Sequence, residues 1–402
     1  MLPDFVKPIK GGVTAPQGIL ASGTRCGIKT EGPDLALVCA EQQAAAAAVF
    51  TRNRFAAAPV QINRKRIASG EAQAVILNSG CANACTGAQG LADARKMAKL
   101  TADALRVPER LVLVASTGMI GTLLPMDKIE AGMVKAVRGL SRRGGAKAAR
   151  AIMTTDLAPK EAAVEFTLGT SKVRIGGMAK GSGMIAPNMA TMLSVITTDA
   201  QVPARDLAAC LRHAADRSFN CITVDGDSST NDTVFLLATG AAMRKPIAPE
   251  DLRRFRSALT GVSTDLAHQI VADGEGATHF VTVTVRGAAS REDALAVAKT
   301  IANSQLVKTA VFGMDPNWGR VMAAAGRAGV AFDPRRVDLH LDGMPLVLAS
   351  EPAPFDPAEA AEKMKKREVE FVLHLHAGRA SATAWTCDLS HDYVTINAHY
   401  HT

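Results

Sequence analysis

Apolar positions along this chain fall into two textures. Short apolar runs closed by turn residues, AVILNSG (74–80), LVLVASTG (111–118) and FVTVTVRG (280–287), read as strands. Elsewhere apolar residues recur every three or four positions, in LADARKMAKLTADAL (91–105), MDKIEAGMVKAVRGL (126–140) and PARDLAACLRHAADRSF (203–219), which read as helices. Pro125 precedes the second helix and Pro203 opens the third, where a missing backbone N–H costs nothing. Beyond Gly287 come a helix at 291–304, strands within 337–348, a charged surface helix at 357–368 and two alternating strands, 369–378 and 381–390. Grouped strands and helices, rather than strict alternation, predict α+β layers. The change of texture divides the chain into a main domain, 1–287, and a C-terminal domain, 288–402. No repeat is visible, and the one low-complexity tract is the alanine run 44–48.

Composition narrows the class. The 402 residues are 48% hydrophobic, yet no segment approaches the run of about 20 apolar residues that a membrane span needs. The start, MLPDFVKPIKGGVTAPQG, lacks the apolar stretch of a signal peptide. A soluble, cytoplasmic chain with no membrane partner is therefore expected. Seven scattered cysteines, with only Cys81 and Cys85 close together, suggest reduced thiols rather than a zinc site. The net charge of +8 raises the question of nucleic acid. Its densest clusters, 63–70 and 141–150, carry no interleaved aromatics to stack bases. A solvated basic surface on an enzyme for anionic substrates is the better reading, with no nucleic-acid partner.

Three motifs fail on inspection. GGMAKGSG (176–183) lacks the spacing of a phosphate loop and precedes a strand instead of opening a helix. VDGDSSTND (224–232) resembles a calcium loop, but its sixth and twelfth positions are Thr230 and Leu236, where Gly and Glu are required. His374 and His376 would share one strand face, as would His399 and His401 in an extended tail; paired histidines alone are more often surface or core residues. No metal and no bound cofactor are expected.

MAKGSGMIAPNMATMLSVITTDA (178–200) offers more. A hydroxyl beside its own peptide bond can attack the preceding carbonyl, and hydrolysis of the resulting ester would leave Thr191 with a free α-amine. That amine is far less basic than a lysine and can serve as general base for its own Oγ. Gly181, Gly183 and Pro187-Asn188 supply a bend, and Ala190 is small on the acyl side. Alone, TMLSVITTD reads better as a plain strand. Two further stretches shift the balance. ASTGMIG ends a strand in Thr117-Gly118, where a hydroxyl and a backbone N–H can hold an oxyanion. DGEGATHF places Glu275 between two glycines, a costly position for a residue without a task.

With these blocks the chain resembles the ornithine acetyltransferase family (glutamate N-acetyltransferase), self-cleaving enzymes of the cyclic arginine pathway. The similarity extends through GVTAPQGILASG, FTRNRFAAAPV, NSGCANACTG, AIMTTD, ITVDGDSSTND, LVKTA, DPNWGR and the terminal DYVTINAHYHT. It implies a layered αββα sandwich with a smaller C-terminal α/β domain. It also implies cleavage between Ala190 and Thr191 into an α chain (1–190) and a β chain (191–402), assembled as α2β2. Thr191 would be the nucleophile, with Thr117 and Gly118 as the oxyanion hole. Substrate contacts would be Thr154, Lys180, Thr191, Glu275, Asn397 and Thr402; the motif does not separate Thr154 from Thr155.

The implied reaction moves an acetyl group from N-acetylornithine to glutamate, with acetyl-CoA an open second donor. The chain departs from the family pattern at Cys81 (usually Asn), Gln305 (Pro), Thr386 (Gly), and His399 and His401 in a tail that typically reads NADYRT. An N-terminal-nucleophile amidase or aminopeptidase, using water as acceptor, is the nearest rival reading. A non-catalytic basic protein is the other.

Overall fold

The computed structural model describes residues 2–186 and 192–399. Its larger sheet has nine strands. They run in the order Lys7–Pro8, Lys160–Leu168, Ser171–Lys180, Leu193–Thr198, Thr233–Ala238, Leu35–Phe50, Glu71–Cys81 and Val112–Met119, with Ile19–Thr24 paired to Leu35–Phe50. The long strand Leu35–Phe50 breaks register between Cys39 and Ala44. Before the break it pairs with Ile19–Thr24 and Glu71–Cys81; beyond it, with Thr233–Ala238. It therefore belongs to both halves, and the sheet folds over on itself along it.

Side-chain alternation shows the layers that result. Val75 and Leu77 of one half meet Met178, Val195, Phe235 and Leu237 of the other in an inner core. Their neighbours Ala74 and Ile76 face away, onto helices Gly87–Leu105 and Met126–Arg138. On the other half, Ile196, Val234 and Leu236 face helices Ala204–Ala215 and Leu252–Ala272. Helix, sheet, sheet and helix make the four layers. Strands buried on both faces must be apolar throughout, which is why they read as unbroken runs rather than alternating ones.

The second sheet has six strands, ordered Glu351–Pro352, Met344–Leu348, Asp338–Leu341, Glu368–His374, Phe280–Ala288 and Ala380–Cys387. Val281, Val283, Val285, Phe371 and Leu373 pack against helices Arg291–Ala302 and Trp318–Gly326. This sheet begins at Phe280, so its first strand runs through Gly287, where the sequence pattern changes. The stretch 337–348 is a tight hairpin; Asp342 and Gly343 both have positive φ, 45° and 78°.

The histidine readings need correction. The tail forms a helix, His391–His399, so it is not the extended segment in which His399 and His401 would align; His401 lies outside the described residues. His374 ends its strand, and His376 (φ 52°) turns back so that the two rings stack 3.8 Å apart, with His376 Nε2 2.6 Å from Asp338 Oδ2. Among the described residues no cluster has the makings of a metal site, and no helix is long and apolar enough to cross a membrane.

The segment that follows helix Ala204–Ala215 meets the second sheet at Thr223, whose backbone N–H donates to the Trp385 carbonyl at 2.9 Å. His268 packs beside this seam, edge-on to Trp385 and Phe280 at 4.5 and 5.3 Å between ring centroids. Burial lowers its pKa from 6.5 to about 4. A group that resists protonation when folded leaves stability intact above pH 6.5 and erodes it as pH falls towards 4, where the unfolded chain binds the proton first. The loss is at most about 3 kcal/mol at 1.36 kcal/mol per unit. Melting temperature measured across this window should fall less in His268→Phe than in the parent. Identical slopes would remove His268 from the acid response.

Candidate active site

Thr117 lies near the end of Val112–Met119, and Lys180 ends Ser171–Lys180, with four strands between them in the sheet order. The fold-over brings them together: Lys180 Nζ donates to Thr117 Oγ1 at 3.4 Å and to Thr154 Oγ1 at 2.6 Å. Around this contact lies one pocket, lined by Thr117, Gly118, Thr154, Lys180, Glu275 and Asn397 among others. They come from five separate parts of the chain, Thr117 and Gly118 being neighbours. Thr155 also faces the pocket, but Thr154 is the one that holds Lys180. Ala190, Thr191 and Thr402 lie outside the described residues.

Gly118 is fixed by steric necessity. Its φ is +125°, and a Cβ there would sit 2.4 Å from the carbonyl carbon of Gly80 on the paired strand. Only glycine lets the two backbones meet at this point. Glu275 is buried, and its carboxylate lies against Gly183, where a Cβ would come within 2.3 Å of Oε2. Asn397 Nδ2, reaching in from the C-terminal helix, donates to Glu275 Oε2 at 2.8 Å.

Charge in the pocket is concentrated around Asp156, a residue that sequence reasoning passed over in AIMTTD in favour of its threonines. Its Oδ1 accepts from Lys160 Nζ and from the Gly181 N–H, both at 2.7 Å, and its Oδ2 from the Thr154 N–H at 2.9 Å. Burial alone would raise its pKa, but the charges of Lys180 and Lys160 outweigh burial and hold it at about 2. The Lys180 pKa is lowered as well, but by burial, which disfavours its charge; Lys160 reinforces that effect, and Asp156, Glu275 and Asp232 oppose it. Lys160 also pairs with Asp273 at 2.5 Å, which ties this cluster to the loop carrying Glu275.

The motif set aside as a calcium loop has a structural task. Asp225 accepts from the N–H groups of Met184 and Ile185 at 2.6 and 2.8 Å, holding Met184 at φ 55°. Ser228 Oγ donates to the Ala186 carbonyl at 2.9 Å, and the Thr233 N–H to the Met192 carbonyl at 2.9 Å. The motif thus holds the chain before the expected cleavage site, and Thr233, the residue that follows it, holds the chain beyond that site. Met184, Ile185, Met192 and Leu193 all line the pocket, as do Ser229, Asn231 and Asp232 of the motif itself.

Of the departures from the family pattern, Cys81, Gln305, Thr386 and His399 are not among the residues that line the pocket. The Cys81 backbone pairs with Thr117 and Met119, while its thiol donates to the Thr122 carbonyl at 3.1 Å. Thr386 Oγ1 accepts from the buried Lys308 at 3.0 Å. Gln305 is the exposed first residue of helix Gln305–Phe312, a position where proline and glutamine are interchangeable. His399 is exposed.

Comparison with known proteins places this geometry in a lineage. The model of the ArgJ family matches residues 20–402. The arginine biosynthesis bifunctional protein ArgJ of Symbiobacterium thermophilum is 53% identical over 399 residues, covering 98% of this chain and 99% of that protein. The protein of the same name from a Synechococcus species is 48% identical over 411 residues, covering 98% of each. Among solved structures, ornithine acetyltransferase of Mycobacterium tuberculosis complexed with ornithine matches 46% of this chain and all of that one, at 44% identity and a TM-score of 0.43. With a family model over nearly its whole length and relatives this similar from end to end, the chain belongs to the ArgJ family.

Proposed function

We propose that the chain transfers an acetyl group from N-acetylornithine to glutamate through an acetyl ester on Thr191, in arginine biosynthesis. One observation carries the reading: a single pocket gathers Thr117, Gly118, Thr154, Lys180, Glu275 and Asn397 at the mouth of the segment that contains Thr191. Cleavage before Thr191 frees its α-amine as general base. Thr191 Oγ attacks the acetyl carbonyl, and the developing oxyanion is met by the Thr117 hydroxyl and the Gly118 N–H. The amide breaks, and ornithine leaves with the proton taken from the threonine. The glutamate amine then attacks the ester, and Thr191 is regenerated. The cationic Lys180 suits the substrate carboxylate, and Glu275 suits the side-chain ammonium of acetylornithine. Asn397, which can donate or accept, serves the carboxylate that replaces that ammonium in glutamate.

The relatives are named bifunctional, and acetyl-CoA is part of the proposal as a second donor to the same threonine. No other cofactor is required. An α2β2 assembly and a cytoplasmic location complete the proposal.

Kinetics separate transfer from the amidase reading. Initial rates with acetylornithine and glutamate should give parallel double-reciprocal lines, the signature of a shared covalent intermediate. Without glutamate, intact-mass measurement should show one acetyl group on the β chain and little free acetate. Rapid acetate release that glutamate does not suppress would make the protein an amidase.

A further inference from the structure

We infer that Asp156 is a positioning residue for the oxyanion hole, acting through Lys180 to fix the direction of the Thr117 hydroxyl. The inference rests on the acetyl-transfer reading of the pocket and extends it to a residue that touches no substrate.

The geometry runs in one line. The Asp156 carboxylate, fully buried, stands 3.9 Å from Lys180 Nζ, and Lys180 Nζ stands 3.4 Å from Thr117 Oγ1. An ammonium has three donors and no acceptor. While Lys180 is charged, Thr117 Oγ can only accept from it, so the threonine's own proton is left for the oxyanion. A neutral amine has a lone pair and can accept that proton. The hydroxyl would then turn towards Lys180, and the oxyanion would lose a donor. Whether Thr117 serves the reaction thus depends on the charge of its neighbour.

That charge needs support, because burial works against it. Lys180 is buried, Lys160 adds like charge nearby, and Lys29 approaches from the N-terminal side with its Nζ on the Met153 carbonyl. Against these stand Asp156, Glu275 and Asp232, with Asp156 the strongest of the three. Asp156 is also held in place, since Lys160, the Gly181 N–H and the Thr154 N–H all donate to it. Those bonds join the loop bearing Thr154 to the strand end bearing Lys180. An asparagine would keep much of the shape and lose the charge.

The test is the rate of acetyl-enzyme formation from acetylornithine without glutamate, measured against pH on processed protein. Wild type and variant see the same substrate, so its titration cancels in their ratio. For Asp156→Asn, the wild-type to variant ratio should grow with rising pH by about tenfold or more, towards the 10²–10³ that loss of one oxyanion donor costs. KM should rise with it, because the same loss of charge loosens the hold of Lys180 on the substrate carboxylate, so the rates are compared at saturating acetylornithine. A ratio independent of pH would reduce Asp156 to a packing role and overturn the inference. Should Asp156→Asn fail to fold or cut, Lys180→Arg carries the test. A guanidinium stays protonated and cannot take the threonine proton, so its alkaline decline should be absent where wild type declines. A decline matching wild type would overturn the inference as well. A wild-type protein that forms no acetyl-enzyme at all would instead sink the acetyl-transfer reading, a distinct outcome.

Discussion

Thr191→Ala is expected to remain a single chain of 42.0 kDa with no acetyl-transfer activity, whereas the parent separates into two fragments under denaturing conditions. The argument is chemical. Self-cleavage requires a hydroxyl to attack the carbonyl of Ala190 and form an ester that water then opens. Alanine has no such group. Without the cut there is also no free α-amine to act as base, so processing and turnover fall together. The chain is held on both sides of the expected cleavage site. Asp225 and Ser228 hold Met184, Ile185 and Ala186 on one side of the site, and Thr233 holds Met192 on the other. Thr191→Ser keeps the hydroxyl and should still cut. Intact-mass measurement is decisive: fragments ending at Ala190 in the alanine variant would sink self-cleavage by Thr191.

Much of this was legible because local pattern and tertiary outcome agree. Helices 91–105 and 126–140 show their apolar stripe in sequence, and they form as Gly87–Leu105 and Met126–Arg138. The strand read at 111–118 forms as Val112–Met119, running through Gly118 instead of closing there. The alanine run 44–48 is the contrary case. Alanine is the strongest helix former, yet these residues lie in the strand Leu35–Phe50, paired on one side to Thr233–Ala238 and packed beneath helix Ala204–Ala215. Small side chains permit the close approach of layers that a doubly covered strand requires. That reason is visible only once the layers exist. The candidate site divides the same way. Glu275 stands out because glycines flank it, and Thr117 because an apolar run closes in Thr117-Gly118. Asp156 gives no such signal, since an aspartate ending a polar loop looks like any other. Its significance comes from Lys160 and Lys180, which the folded sheet brings to it.

Thr117→Ala should lower the turnover number of already processed enzyme by about 10²–10³, the usual cost of one oxyanion donor. The effect belongs in turnover rather than affinity, because the bond strengthens only as negative charge develops on the acetyl oxygen. Several features place Thr117 for this task. It lies where the backbones of Gly80 and Gly118 meet, at a point no larger residue can widen. Its hydroxyl accepts from the charged Lys180, which turns its proton away from the lysine. Thr117→Ser restores the hydroxyl without the methyl and should recover most of the rate. Lost activity in the alanine variant that serine does not rescue would point to packing around Lys180 instead. An unchanged turnover number would remove Thr117 from the mechanism, leaving the Gly118 N–H to stabilise the oxyanion without it.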